Sequence, residues 1–128
     1  DENGKISKPI SVPLDWKIRL TNKGNIATQN MSVKIEFDGI YFADKSDTDY
    51  EFINPIYGSG GYQAIRYKLD QDLYPNDFLY LPEIPFENMK LENEETDLIN
   101  MKITLYDEND KSKEFNFDIQ LEQMESAI

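Results

Sequence analysis

The chain has 128 residues, a formal net charge of −12, and neither cysteine nor histidine. Those absences exclude a disulfide framework, Cys-based zinc sites, a Cys nucleophile, Ser-His-Asp catalysis and histidine metal ligands. A field of that sign repels phosphate backbones and anionic bilayers. The apolar runs are a few residues long against the roughly 20 of a spanning helix, so neither nucleic-acid binding nor membrane insertion is expected.

The length predicts one domain, with residues 1–8 and 122–128 as frayed ends. The start at Asp1 without methionine or a signal-peptide pattern predicts a module excised from a larger protein. Ile10, Val12 and Leu14 alternate between Pro9 and Pro13. Proline cannot donate to a ladder, so residues 9–14 read as an edge strand. Trp16, Ile18 and Leu20 share one side of a second strand over residues 15–22. The Asn22-Lys23-Gly24-Asn25 turn follows. Gly24 suits a positive φ there, and the Asn side chains can satisfy nearby backbone groups. Met31, Val33, Ile35 and Phe37 alternate in a third strand over residues 30–38 that ends at Gly39.

Residues 40–42 and 50–53 read as short strands around a polar loop. Gly58-Ser59-Gly60-Gly61 reads as a connection, since it lacks the Gly-Lys-Ser/Thr ending of a phosphate-cradling loop. Ile65, Tyr67 and Leu69 alternate, and Tyr74-Pro75-Asn76-Asp77 is a turn with proline at its second position. Residues 78–82 form a strand whose flanking prolines mark an edge. Residues 88–97 are charged and irregular, with a helical turn possible. Ile99, Met101, Ile103 and Leu105, then Phe115, Phe117, Ile119 and Leu121, form a long hairpin with one apolar face. No helical apolar period is present. The pattern predicts an all-β antiparallel Greek-key sandwich of seven to eight strands, with a closed barrel as the alternative that the proline-marked edges disfavour.

Ile18, Leu20, Asn22, Gly24, Asn25, Ala27, Asn30, Met31, Val33 and Ile35 follow a pattern that resembles bacterial and archaeal Ig-like domains, CARDB-type cell-adhesion-related domains among them. Residues 73–77 are similar to the proline-bearing turn that often precedes the fifth strand of such domains. The resemblance implies a non-catalytic interaction or spacer module of a larger bacterial-type protein, with no active site. It departs from their compact pattern in the insertion over residues 40–61.

Two ligand ideas arise from side chains. Asp44, Asp47, Asp49 and Glu51 supply hard oxygen atoms of the kind that bind calcium, but not at EF-hand spacing. Acidic loops are ordinary, so the primary expectation is no metal and no cofactor. Aromatic residues crowd residues 50–86, and Tyr57, Tyr62 and Tyr80 are candidates for a sugar- or peptide-binding face. An alternative function is therefore a carbohydrate-binding module stabilised by calcium. Tyr41 and Phe42 are candidates for an edge that accepts a partner strand. The expected partner is another protein or a neighbouring domain, and the isolated domain is expected to be a monomer.

Overall fold

The computed structural model describes residues 18–45, 48–58, 60–85, 89–93, 95, 98–107 and 112–120. The strand expected over residues 9–14, Trp16, Asp47 and the hairpin turn at residues 108–111 lie outside them. The described residues form nine strands: β1 (Arg19–Thr21), β2 (Ser32–Asp38), β3 (Ile40–Phe42), β4 (Glu51–Pro55), β5 (Tyr62–Lys68), β6 (Phe78–Tyr80), β7 (Met89–Leu91), β8 (Leu98–Tyr106) and β9 (Ser112–Gln120). All pairings are antiparallel, and the strands make two sheets, β1-β6 and a larger sheet of the other seven.

The larger sheet grows outward from β2. Val33, Ile35 and Phe37 are buried while Ser32, Lys34 and Glu36 between them face outward, as the period of two demands. β2 pairs with β5 on one side and β8 on the other; β5 also pairs with β4, and β8 with β9. These registers align one inner row across five strands: Phe52, Ile65, Ile35, Ile103 and Phe115. The outer row beside it is Glu51, Arg66, Lys34, Thr104 and Glu114. Adjacent rows thus separate hydrocarbon from charge, and a one-residue slip would exchange them.

Gly39 changes the parity. Buried positions are odd-numbered through Phe37 and even-numbered at Ile40 and Phe42. Gly39 sits at φ 97°, a region glycine enters without steric penalty. Residues 37–41 stand opposite the single residue Gln63, between the Glu36–Ala64 and Phe42–Tyr62 pairs. This bulge aims Phe42 into the core, where its ring meets Phe37 and Phe52 edge-on at centroid distances of 5.7 and 5.2 Å.

Within residues 88–97, where a helical turn was possible, Met89–Leu91 form strand β7. Its residues pair with Ile40–Phe42, Met89 is buried, and Glu92 N–H donates to the Gly39 carbonyl at 2.9 Å. An unpaired edge of β3 and one buried methionine outweigh the weak local preference of a charged segment.

The small sheet is tied down through Asn22, a buried polar residue with each group satisfied. Its side-chain Nδ2 donates to Leu73 O at 2.8 Å and Ile26 O at 3.0 Å, and its Oδ1 accepts from Gly24 N–H at 2.8 Å. Its backbone exchanges bonds with the 74–77 turn: Asn22 N–H donates to Asp77 O and Asn76 N–H to Asn22 O. In that turn Asp77 N–H donates to Tyr74 O and Asn76 has φ 68° after Pro75, the type II arrangement. Gly24 does not use the positive φ expected of it. Its role is space: a Cβ there would lie 3.3 Å from Asn22 Oδ1.

Candidate functional site

Three surface features stand out. The first is a polar hollow of about 730 Å³ on the outer face of the larger sheet, walled by Lys34, Glu51, Asn54, Arg66, Lys68 and Tyr106 among others. Its cations come from adjacent outer rows of β2 and β5. Arg66 reaches one carboxylate oxygen of Glu51 twice, from Nη2 at 2.7 Å and Nε at 3.3 Å. Lys34 and Lys102 approach Glu36 Oε1 at 3.2 and 3.8 Å. Lys34–Glu36 lies within β2 and the other two pairs cross strands; all are at least partly solvent-exposed, and each contributes about 0–1 kcal/mol. Asn54, with φ 58° at the hollow's wall, adopts the left-handed region that asparagine tolerates better than other side chains.

The second is the outer face of the small sheet. Phe78 and Tyr80 are 54% and 55% exposed, and their rings meet edge-to-face at 5.8 Å and 82°. The Arg19 guanidinium sits 5.4 Å from the centre of the Phe78 ring. The period of two explains the grouping: Leu79 and Leu20 turn toward the core, so their neighbours on each strand turn outward. The Arg19–Tyr80 and Thr21–Phe78 pairs then bring the cation beside the rings.

The third is an apolar groove of about 320 Å³ between the sheets, lined by Ile18, Leu20, Ile103, Leu105, Phe115 and Phe117. Phe115 is 38% and Phe117 44% exposed, although their β8 partners Ile103 and Met101 are buried.

The residues singled out from sequence fall in different places. Phe42 is fully buried, and β3 is paired with both β5 and β7, so residues 41 and 42 are interior scaffold rather than an open edge. Tyr41 is half-buried, and its ring packs so near Gly61 that a Cβ on that glycine would lie 2.7 Å from it. Tyr62 is half-buried against Phe52, with Lys45 Nζ 5.4 Å from its ring centre. Tyr57 is fully exposed on the turn between β4 and β5, whose ends are joined by Ile56 N–H donating to Gly61 O at 2.8 Å. Tyr80 alone of the five belongs to an exposed aromatic pair. Of the acidic loop, Asp44, Asp49 and Glu51 are exposed and Glu51 is engaged by Arg66. Among the described residues no three His, Cys, Asp or Glu side chains come together as metal ligands.

Arg19 and Phe78 were not singled out as a unit because they lie far apart in sequence. A signal was present, since proline-flanked residues 78–82 form an edge strand and edge strands have outward residues beside open backbone.

Among the described residues Tyr50 is the most perturbed titrating group. It is buried, its hydroxyl donates to Pro82 O at 2.7 Å, and burial first, then the Tyr67 phenol, push its pKa well above the ordinary value. Tyr67, 5.8 Å away ring to ring, is raised for the same first reason and by Asp70 and Asp49. Both shifts follow from packing.

These features define an all-β antiparallel sandwich with an exposed aromatic–arginine cluster on its smaller sheet. No protein-family model, curated protein or solved structure matches the chain.

Proposed function

We propose that the chain is a non-catalytic protein-interaction or spacer module of a larger bacterial-type protein, built on an Ig-like sandwich. The observation that carries this reading is the Arg19–Phe78–Tyr80 cluster. Tyrosine and arginine are among the residue types that dominate binding energy at protein interfaces. Burying a large apolar side chain is worth about 1.5–3 kcal/mol, so two rings left half exposed are contact energy that a partner can realise. Antiparallel sheets in which β1-β6 opposes a sheet built on β2, β8 and β9 support the Ig-like part. The test is the Phe78→Ser/Tyr80→Ser double variant, compared with the native chain for capture of partners from the parent proteome. Loss of at least ten-fold in binding with an unchanged melting curve is expected. A partner that binds both forms equally contradicts the assignment of this face.

Carbohydrate binding is the second reading, favoured by the fully exposed Tyr57 and the largely exposed Tyr74. The Phe78–Tyr80 pair, at 82°, presents a sugar ring with no flat platform. Glycan-array binding abolished by Tyr57→Ala and kept in Phe78→Ser/Tyr80→Ser would favour this reading over the first.

A further inference from the structure

The polar hollow on the outer face of the larger sheet rests on two registered rows. One runs Lys68–Ser32–Tyr106 across β5, β2 and β8, and the next runs Arg66–Lys34–Thr104 across the same strands. Strands lie about 4.8 Å apart, so each row is about 10 Å wide. Among the described residues, the Lys68 ammonium has no ion-pair partner, and the Ser32 and Tyr106 hydroxyls have no hydrogen-bond partner. Arg66 meets Glu51 through Nε and Nη2 only, so its Nη1 donors have no acceptor among the described residues. The hollow thus gathers donors in excess of acceptors. Its lining sets Lys34, Arg66 and Lys68 against Glu51 and Asp107, a local positive excess in a chain of net charge −12. The donors are also sorted by strand. Two of the three cations stand on β5, and the two hydroxyls stand on β2 and β8.

We propose that this hollow binds a small hydroxylated carboxylate, the chemistry of a uronic acid, with its carboxylate on Arg66 and Lys68 and its hydroxyl groups on Ser32 and Tyr106. The volume of about 730 Å³ is that of a small-molecule site. The rows are too wide for one bare oxyanion to satisfy, and the donors at the β8 end are neutral, so the ligand is charged at one end and hydroxylated at the other. A guanidinium fork matches a carboxylate, and Glu51 already shows that a carboxylate seats on Arg66. The acidic field of the whole chain repels a long polyanion, whereas a compact anion meets mainly the local cations, since charges beyond about 8 Å are screened at physiological salt. The site lies apart from the Arg19–Phe78–Tyr80 cluster and from Tyr57 and Tyr74, so it depends on neither reading of those surfaces.

Amide chemical shifts of the isotope-labelled chain, titrated separately with glucuronate, glucose and inorganic phosphate, read the site residue by residue. Glucuronate should shift residues 32–34, 66–68 and 106 saturably, with a Kd on the order of 1 mM because exposed charge pairs are individually weak. Glucose has the hydroxyls without the carboxylate, and phosphate has the charge without the carbon frame. Each should bind at least ten-fold more weakly. Lys68→Ala should weaken glucuronate at least five-fold with an unchanged melting curve. Glu51→Gln should tighten it several-fold, because the competing carboxylate on Arg66 is gone. Glu83→Gln makes the same charge change at an exposed residue outside the hollow and should leave the Kd unchanged. Phosphate binding as tightly as glucuronate would make this a bare oxyanion site and overturn the proposal, and so would glucose binding equally well. Shifts centred on other residues, the absence of any saturable shift, or the same response to Glu51→Gln and Glu83→Gln would overturn it too.

Discussion

β8 and β9 are two strands of equal length, paired residue for residue, with the same apolar alternation. On β8 the inward residues Ile99 and Met101 are each 1% exposed; opposite Met101, Phe117 is 44% exposed. The pattern of a strand decides which face is apolar. Its rank in the sheet, and what lies over it, decide whether that face is dry. β8 lies between β2 and β9 beneath the common core, whereas among the described residues β9 ends the sheet. The small sheet repeats the contrast on a lesser scale, with Leu20 in the core and Phe78 and Tyr80 outside it.

Truncation at the centre should have the largest effect. Met101→Ala removes a fully buried side chain from the β2-β8 seam and should lower unfolding free energy by about 2–5 kcal/mol in urea titrations. A loss below about 1 kcal/mol would erase the distinction between centre and margin. Asn22→Ala should come next, at about 1–3 kcal/mol. It removes the Asn22 side-chain bonds to the Ile26 and Leu73 carbonyls, leaving Leu73 O with its Thr28 donors, and loosens the anchor of the small sheet.

Alkaline pH probes the β4 side. Tyr50 and Tyr67 have folded-state pKa values raised above the unfolded value of about 10. Their contribution is therefore complete below that value and is lost as pH climbs above it, because the unfolded chain releases those protons first. Stability should fall beyond about pH 10. Tyr50→Phe should flatten that fall while forfeiting about 0.5–1.5 kcal/mol at neutral pH through its bond to Pro82. The smallest effect is expected on the outer face. Arg66→Ala removes only an exposed ion pair with Glu51 and should change stability by less than about 1 kcal/mol.

Much of this contrast could be read in the sequence, and the unread part has physical causes. The alternations over residues 30–38, 98–106 and 112–120 report their strands directly, because each strand has one polar and one apolar side. The turn at residues 74–77 was legible from Pro75, though not its type, and the hydrogen bonding of Asn22 from its place in a Gly/Asn turn. β7 was not legible, since it exists only because β3 has an edge to pair with. Nor was the buried state of Phe42. It depends on the parity change at Gly39, and Ile40-Tyr41-Phe42 reads equally well as an exposed aromatic edge until the bulge is known. The Arg19–Phe78–Tyr80 cluster depends on a β1-β6 register that joins distant segments, so composition alone did not assemble it.

Residue-resolved amide hydrogen exchange tests the difference between the centre and margin of the sheet most directly. In β2, β5 and β8, each flanked by strands on both sides, amides should exchange slowly at both parities. In β9, amides of one parity should be protected by β8 and those of the other should exchange orders of magnitude faster. Uniform slow exchange along both parities of β9 would show its outer edge paired like that of β8 and contradict the account.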